Sequence, residues 1–459
     1  MQTLPSDSTS GLVLAPFRGI RYARDRVSGI ANVTSPPYDV ITDGILDHLR
    51  AADPHNVVRL ILPGHDAGAS RAAATLLREW LSAGVLIRDR MPALYLYEQS
   101  LDEHSPDGEG PNGEGEAGLP WLQRGIVALV RLGSPESAAI LPHEGVMPGL
   151  VAGRRELMEA TQANLEPIFL IYDGDDASDG DADTATGVID RVAAEREPLV
   201  TITTEDGVAH RLWRLGDPGE QAAIAADLAG RRALIADGHH RYAAYLDMQA
   251  GMRASGRGAG PWDYGLAFLV DSAAYPPQLG AIHRVLPGLP PERAAELAKA
   301  AFTVADLPAG ISLGDAKRRL AAAGQEGTAF LLAGGSGFRL LSHPDPVQVA
   351  ASMPAGASES WRRLDAAVLQ QLLIGHLWGI TDSEQSVLID HDAADAVRAV
   401  CAGTGATAAG GTAVISNPVS FADVIEIAAH GERVPRKSTS FGPKPRTGLV
   451  LRAFGSGDS

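Results

Sequence analysis

The chain has 459 residues, 45% of them hydrophobic, which is enough apolar material for the cores of two or three domains. Its formal net charge of −17 argues against nucleic acid or an anionic membrane as the main partner, because such partners require basic surfaces. The single cysteine, Cys401, excludes an intramolecular disulfide and a cysteine zinc site, and its apolar neighbours predict a buried, inert thiol.

No targeting or membrane-spanning signal is recognisable in the sequence. Residues Met1 to Leu14 contain no basic region followed by an apolar core, and no apolar run reaches the length of a membrane span. We therefore expect a cytoplasmic protein whose partner is a small-molecule substrate, with no nucleic acid and no membrane contact. For the oligomeric state, we consider a homodimer as the candidate assembly.

Helical and strand-like patterns alternate along the chain, as the spacing of the apolar residues shows. The predicted helices are Ile45–Ala52, Ser70–Ala83, Arg154–Asn164, Gly219–Leu228, Pro291–Ala301, Leu313–Ala323 and Leu364–Trp378. The predicted strands are Asn56–Leu62, Ala93–Gln99, Gln123–Leu132, Ile168–Tyr172, Thr201–Thr204, His210–Trp213, Tyr264–Val270, Ala329–Leu332, Ala413–Ser416 and Thr447–Arg452. Two stretches rich in acidic residues, Asp102–Gly118 and Asp173–Thr186, are predicted to be solvated loops.

This alternation predicts a mixed α/β (α+β) fold. We divide the chain into a disordered leader (1–15), an N-terminal α/β region (16–135), a central region (136–288) and a C-terminal α/β region (289–459). The boundaries are soft, and a single intertwined unit is the alternative.

The most informative segment of the chain is 232–245, in the central region. An apolar strand runs into Asp237-Gly238 and is followed by two histidines and Arg241 on the first turn of a predicted helix. A glycine at a helix N-terminus lets backbone amides approach a ligand, and an arginine adds a bidentate cation, so the segment predicts a phosphate-binding loop. Asp237 is either a helix cap or a carboxylate that binds Mg²⁺ or takes a proton from a hydroxyl.

Other polar clusters also follow strand-like runs. His143-Glu144 is either a surface pair or a general base or metal ligand, and His283-Arg284 occupies a similar position. The segment from Arg436 to Pro445 contains two of the four lysines in the chain beside hydroxyl residues, which favours an anion pocket or else a solvated turn. Asp39, after two prolines, is either a turn residue or a further candidate carboxylate.

Taken together, these motifs resemble a bacterial and archaeal family, domain of unknown function 1015, over about residues 16 to 452. The segments that carry the resemblance are Pro16-Phe17-Arg18-Gly19, Pro36 to Ile41, Asn56 to Leu60, Pro142-His143-Glu144, Ala160-Thr161 with Ala163-Asn164, Ala236 to Tyr242, His283-Arg284, and Lys437-Ser438-Thr439 with Pro443-Lys444.

The segment Gly238 to Tyr245 is also similar to the phosphate loops of the ParB/sulfiredoxin superfamily, and Asp237-Gly238-His239 resembles the free serine kinases of that superfamily. This resemblance implies a ParB/sulfiredoxin-like core in the central region, elaborated by further strands and Ala-rich helices, with ATP or ADP and Mg²⁺ as cofactors. The implied catalytic residues are Asp237, His239, His143 and Glu144, with Asp237 also holding Mg²⁺. The implied nucleotide or phosphate contacts are Gly238, His240, Arg241, His283, Arg284, Lys437, Ser438, Thr439 and Lys444.

Three functions remain open from the sequence. The first is a nucleotide-dependent phosphotransferase acting on a small hydroxyl compound, with serine or phosphoserine as the best guess. The second is a protein that binds CTP or ATP as a switch with little turnover. The third is a metal-dependent hydrolase that uses His143, His239, His240 and His283.

Overall fold

The structure is a computed structural model that describes residues 11–64, 66–101, 120–133, 139–174, 183–335, 337–383, 385–401 and 410–454. Its mixture of sheets and helices confirms the predicted mixed α/β class. Of the predicted loops, 102–118 and 175–182 lie outside the described residues. Of the predicted leader, residues 1–10 also lie outside them, whereas Leu12 is buried and the chain continues directly into the first strand.

The strands are β1 (Leu14–Ala15), β2 (Ile20–Tyr22), β3 (Leu86–Arg88), β4 (Leu94–Leu101), β5 (Trp121–Arg131), β6 (Ile140–Leu141), β7 (Ala163–Asn164), β8 (Ile168–Tyr172), β9 (Val200–Thr203), β10 (Ala209–Leu215), β11 (Ala233–Asp237), β12 (Tyr264–Asp271), β13 (Gln278–Gly280), β14 (His283–Pro287), β15 (Thr303–Asp306), β16 (Phe330–Gly334), β17 (Gly337–Ser342), β18 (Leu388–Asp390), β19 (Gly411–Ser416), β20 (Ser440–Gly442) and β21 (Arg452–Ala453).

The α-helices are α1 (Ile30–Val33), α2 (Asp43–Ala52), α3 (Val58–Ile61), α4 (Ala69–Ser82), α5 (Pro148–Thr161), α6 (Ala185–Glu195), α7 (Pro218–Leu228), α8 (His239–Ala254), α9 (Pro291–Ala298), α10 (Leu313–Glu326), α11 (Pro346–Ser352), α12 (Glu359–Arg363), α13 (Asp365–Val368), α14 (Ala393–Cys401) and α15 (Phe421–Ala429). A π-helix, Leu369–Leu377, continues α13. No helix of the described residues is long and apolar enough to cross a membrane.

A nine-stranded sheet forms the larger body, in the order β6-β11-β8-β12-β5-β4-β10-β9, with β1 paired to the end of β5. Only the pairs β6–β11 and β8–β12 are parallel among its described strands. Because side chains alternate along a strand, Val127 and Leu129 of β5 face one hydrophobic core while Ile126 and Ala128 face the other. Helices α5 to α8 pack on the second face, and α1 to α4 cover the first.

A second, six-stranded sheet has the order β15-β17-β16-β19-β14-β18, and all of its pairs are antiparallel. Small residues let helices approach both faces closely. Ala294 and Ala298 of α9 lie in one core, and Ala316 of α10 and Ala396 of α14 lie in the other. This sheet and its helices are formed mainly by the Ala-rich C-terminal region, in which sequence analysis predicted both helices and strands.

The C-terminal segment returns to the larger body after the second sheet is complete. Strand β20 pairs with β13, and β21 pairs with β7. Isolated bridges join Ser35 to Thr447 and Ile20 to Leu451. The segment 435–446 is thereby carried across to the edge where β6 and β11 end. The predicted division into regions stays a prediction, and strands from both sides of residue 135 share the nine-stranded sheet.

Several local predictions are corrected by the structure. The predicted strand Asn56–Leu62 is the short helix α3, because the Asn56 side chain accepts from Val58 N and starts a turn within an apolar run that suits a buried helix equally well. The predicted final strand Thr447–Arg452 forms only isolated bridges and β21. Cys401 is exposed, because α14 turns Ala396 and Val400 rather than the cysteine toward the sheet.

A buried histidine in the larger body predicts acid sensitivity. His210 is 4% exposed, lies between Tyr97 and Thr204, and burial lowers its pKa to about 3. The unfolded histidine takes up a proton below about pH 6.5, whereas the folded one stays neutral until about pH 3, so its stabilisation is present above pH 6.5 and is lost as the pH falls.

We expect the unfolding free energy of the wild type to fall by about 1.4 kcal/mol per pH unit more steeply than that of His210→Gln between about pH 4.5 and 6. Urea unfolding of both proteins at several pH values measures the two slopes. Equal slopes would contradict a neutral, buried His210.

Candidate functional site

Two parallel strands end side by side and supply the first half of the site. Strands β6 and β11 pair in register from Ala233 opposite Ile140, so the residues that follow them lie at the same edge of the sheet. His143-Glu144 follows β6, and Gly238 follows β11 as the residue before α8. The sequence alone did not establish that these two clusters meet.

The turn between β11 and α8 requires glycine. Gly238 has φ +94°, in the left-handed region that side chains disfavour, and an added Cβ would lie 3.1 Å from Ile168 Cγ2. The chain enters α8 directly, with Tyr242 N donating to Gly238 O. The preceding amides of the first turn have no intrahelical acceptor and face the positive end of the helix dipole. This is the strand–turn–helix that the sequence predicted.

A pocket of about 840 Å³, including its open mouth, lies over this helix start. Four chain segments line it: residues 38–40, the loop after β6, the start of α8, and residues 436–444. His391, which follows β18 of the six-stranded sheet, lines it as well. The pocket is therefore formed jointly by both sheet bodies and by the returning C-terminal segment.

An ion cluster that is buried at Asp237 and partly exposed at Asp39 and Lys444 forms one wall of the pocket. Lys444 Nζ lies 2.7 Å from Asp39 Oδ2 and 2.8 Å from Asp237 Oδ1, and the other Asp237 oxygen pairs with Arg241. Burial and the charge of Asp39 raise the pKa of Asp237, whose side chain is 8% exposed. Burial opposes ionisation of Asp39 too, but Lys444 and Arg241 hold its pKa well below the usual range. Lys444 remains protonated between them.

Two of the three guanidinium nitrogens of Arg241 already bind groups within the protein. One terminal nitrogen donates to Pro167 O at 2.5 Å, the other pairs with Asp237, and only Nε lacks a partner among the described residues. The guanidinium lies 5.7 Å from the centre of the Tyr38 ring. Arg241 therefore fixes Asp237 at the pocket wall, and a phosphate contact by Arg241 stays a prediction.

A hydroxyl connects the two predicted catalytic residues of the β6 loop. Thr439 Oγ1 donates to Glu144 Oε1 at 2.8 Å, so it accepts from His143 Nε2, which lies 2.8 Å away. His143 is fully buried behind Thr439, and burial lowers its pKa to about 3. The hydrogen-bonded series His143–Thr439–Glu144 thus places a carboxylate at the pocket and a neutral imidazole behind it.

His239 and His240 bind the backbone of the same loop. His239 Nε2 accepts from His143 N at 3.3 Å, and His240 Nε2 accepts from Met147 N at 3.1 Å. Burial lowers the pKa of both rings, and the nearby cation Lys437 acts in the same direction. Both histidines are therefore neutral acceptors that hold the loop against α8, and the catalytic role of His239 stays a prediction.

Lys437 differs from the other pocket cations because its ammonium has no hydrogen bond or ion pair with any described residue. It lines the pocket from a turn in which its own backbone has φ +52°. Its charge contributes to lowering the pKa of His391, which burial, as the main cause, brings to about 4. Lys437 is thus a cation available to an anionic ligand.

Three predicted phosphate contacts lie outside the pocket lining. His283 is fully buried in β14 and accepts from Ser416 N at 3.2 Å. Arg284 donates to the carbonyls of residues 436 and 437, and Ser438 Oγ donates to Pro435 O at 2.6 Å. Arg284 and Ser438 thus hold the backbone of residues 435–437 beside the pocket, and direct contact of any of the three side chains with a ligand stays a prediction.

Among the polar residues that line the pocket, sequence analysis did not propose Tyr38 or His391 as site residues, and it included Arg436 and Ser440 only within the candidate anion segment. His391 follows a strand end, as His143 does, and this shared position was the available signal. Arg436 forms an ion pair with Asp382 at 3.2 Å. Among the described residues, no group of three or more His, Cys, Asp or Glu side chains is arranged to hold a metal ion.

A family model described as "Protein of unknown function (DUF1015)" matches residues 14–367, which is most of the chain. The chain belongs to the DUF1015 family. This confirms the family resemblance of the sequence motifs, and the match ends before Lys437 and Lys444. No curated protein matches the chain.

Solved structures with distant similarity include a mutant of a free serine kinase in complex with ADP, at 14% identity and a TM-score of 0.33, covering 69% of this chain and 89% of that one. SbnI from Staphylococcus aureus, with a C-terminal truncation, is 12% identical at a TM-score of 0.34, with 71% and 87% covered. A conserved hypothetical protein from Pyrococcus furiosus is 14% identical at a TM-score of 0.31, with 69% and 92% covered. These TM-scores are too low to define fold or activity for this DUF1015 member, and the ParB/sulfiredoxin relationship stays a prediction.

Proposed function

We propose that this protein is a phosphotransferase that moves a phosphoryl group between ATP or ADP and a small hydroxyl compound, with serine or phosphoserine as the first candidate. The observation that carries the proposal is the pocket itself. A glycine turn opening a helix, a lysine without a partner among the described residues and a carboxylate bound to a hydroxyl all line one pocket. Phosphoryl transfer depends on positioning and charge neutralisation, which these groups supply.

The nucleotide phosphates would bind at the start of α8. The free amides of the first turn attract anions through hydrogen bonding and the helix dipole. Lys437 would neutralise the phosphate that faces the C-terminal segment, because its ammonium has no partner among the described residues. Lys444 would contribute less charge, since Asp39 and Asp237 already bind it.

The acceptor hydroxyl would lie beside Glu144. Its oxygen attacks the terminal phosphorus, the bond to the leaving ADP oxygen breaks, and the hydroxyl proton moves to the Glu144 carboxylate. Glu144 Oε1 accepts from Thr439, and Oε2 has no partner among the described residues, so Oε2 is free to accept this proton.

Mg²⁺ would be held by Asp237 together with Asp39, because Mg²⁺ in such sites binds one or two carboxylates and the substrate phosphates. The ion would neutralise phosphate charge. Lys444 already lies between these carboxylates, so a bound ion would share or displace its contacts.

³¹P NMR tests the proposal on the wild type with Mg²⁺, supplied in parallel with ATP plus L-serine and with ADP plus phosphoserine. We expect a new phosphomonoester or nucleotide resonance in one of the mixtures. Glu144→Gln should retain the hydrogen bond from Thr439 and still bind nucleotide, but slow transfer by about 10²- to 10⁴-fold. Unperturbed nucleotide signals would overturn the proposal, and broadened signals without transfer would exclude serine as the acceptor.

A further inference from the structure

The turn that presents Lys437 has an unfavourable backbone conformation. Lys437 is one of few described non-glycine residues with positive φ, at +52°. A side chain in this region costs free energy and persists only where the surroundings impose it. Within the turn, the described side-chain contact is Ser438 Oγ donating to Pro435 O at 2.6 Å. A further contact comes from a different part of the fold.

That contact is made by Arg284, in β14 of the six-stranded sheet. Its terminal nitrogen donates to Lys437 O at 2.7 Å and to Arg436 O at 3.2 Å. Arg284 is 4% exposed, and it does not line the pocket. Arg284 therefore contacts the backbone of the turn without lining the pocket, whereas Lys437 itself lines the pocket.

The surroundings of Arg284 are unusual for a buried cation. No described carboxylate lies within ion-pair distance of it, and its described acceptors are backbone carbonyls, including His283 O at 3.3 Å. Burial lowers its pKa to about 10, despite the more distant charges of Asp382 and Glu144. Burying a cation without a counterion is costly, and an apolar side chain of similar size would usually stabilise a core better.

We propose that Arg284 is a positioning residue: it holds the carbonyls of residues 436 and 437 so that Lys437 and Thr439 face the pocket, and it does not contact the ligand. The six-stranded sheet thereby takes part in the site, since His391 directly follows β18, which pairs with β14. The consequence for affinity rests on the proposed nucleotide function, whereas the effect on the turn does not depend on any ligand.

Hydrogen exchange of the ligand-free protein tests the positioning directly. In Arg284→Met, the bonded amides that flank the turn, namely Val434 N, which donates to His143 O, and the amides of β20 that pair with β13, should exchange at least about tenfold faster than in the wild type, because the carbonyl contacts that hold the turn are lost. The amides of β16 and β19 should keep their protection. Arg339→Met is the matched control, because Arg339 lies in the same sheet and pairs with Asp306 away from the pocket. Unchanged exchange at Val434 and in β20, or equal loosening of the whole six-stranded sheet, would overturn the proposal.

A double-mutant cycle tests the effect on binding, with ADP as the probe. Arg284→Met should weaken ADP binding by about tenfold in the wild type, but by less than about twofold when Lys437→Met is already present. Equal losses in both backgrounds would show that Arg284 does not act through Lys437. If the wild type binds no ADP, the nucleotide function fails while the exchange result still decides the role of Arg284.

Discussion

Replacing Lys444 by methionine is expected to destabilise the protein by about 3 kcal/mol at pH 7. The substitution removes the cation that lies between Asp39 and Asp237, and it leaves two neighbouring carboxylates with Arg241 as their remaining partner. An unpaired charge at a buried position costs more than the ion pair itself contributes. Urea unfolding of the wild type and of Lys444→Met measures the difference.

The pH dependence and a second variant test this explanation. Without Lys444 the pKa of Asp237 rises further above its unfolded value, so the variant regains stability as the pH falls and Asp237 takes up a proton. Combining Lys444→Met with Asp237→Asn removes the unpaired charge and should restore part of the loss. A loss that is the same at pH 4 and pH 7 would show that packing, rather than charge, is responsible.

Replacing Lys437 by methionine is expected to weaken ADP binding by about 10- to 100-fold with little change in stability. The ammonium of Lys437 has no described partner in the folded protein, so its removal leaves no buried group unpaired. An anionic ligand, in contrast, loses a charge-assisted contact. Calorimetric titration with ADP and urea unfolding measure the two effects separately.

The matched control is Lys299→Met, which makes the same chemical change on the surface. The Lys299 side chain is 58% exposed and pairs with Glu296 of α9, and neither residue lines the pocket. We expect its ADP affinity to equal that of the wild type. Equal losses of affinity in both variants would indicate an effect of net charge alone and would remove Lys437 from the site.

The parts of the site that sequence analysis predicted are local in the chain. The apolar run of β11, the glycine after it and the polar start of α8 lie within a few residues, so propensity and spacing suffice to predict the turn. His143-Glu144 was recognised in the same way, as a polar pair after an apolar run. Which face each histidine presents was not predictable, because His239 and His240 bind backbone amides that come from another segment.

The remaining parts depend on long-range contacts. Asp39 and Lys444 are 405 residues apart, and they meet only because the C-terminal segment returns to the larger body through β20 and β21. His391 lines the pocket from the second sheet. No local sequence pattern predicts how that sheet packs against the first. The error at Asn56–Leu62 has a different cause, since a short apolar run suits a buried strand or a buried helix equally.

Equilibrium binding of ADP to the wild-type protein, with pyrophosphate and adenosine as competitors, tests most directly whether this pocket holds nucleotide phosphates. We expect one ADP per chain, displacement by pyrophosphate, an affinity that falls with added salt, and much weaker binding of adenosine. Absence of ADP binding, or adenosine binding as tightly as ADP, would contradict a phosphate site at the start of α8.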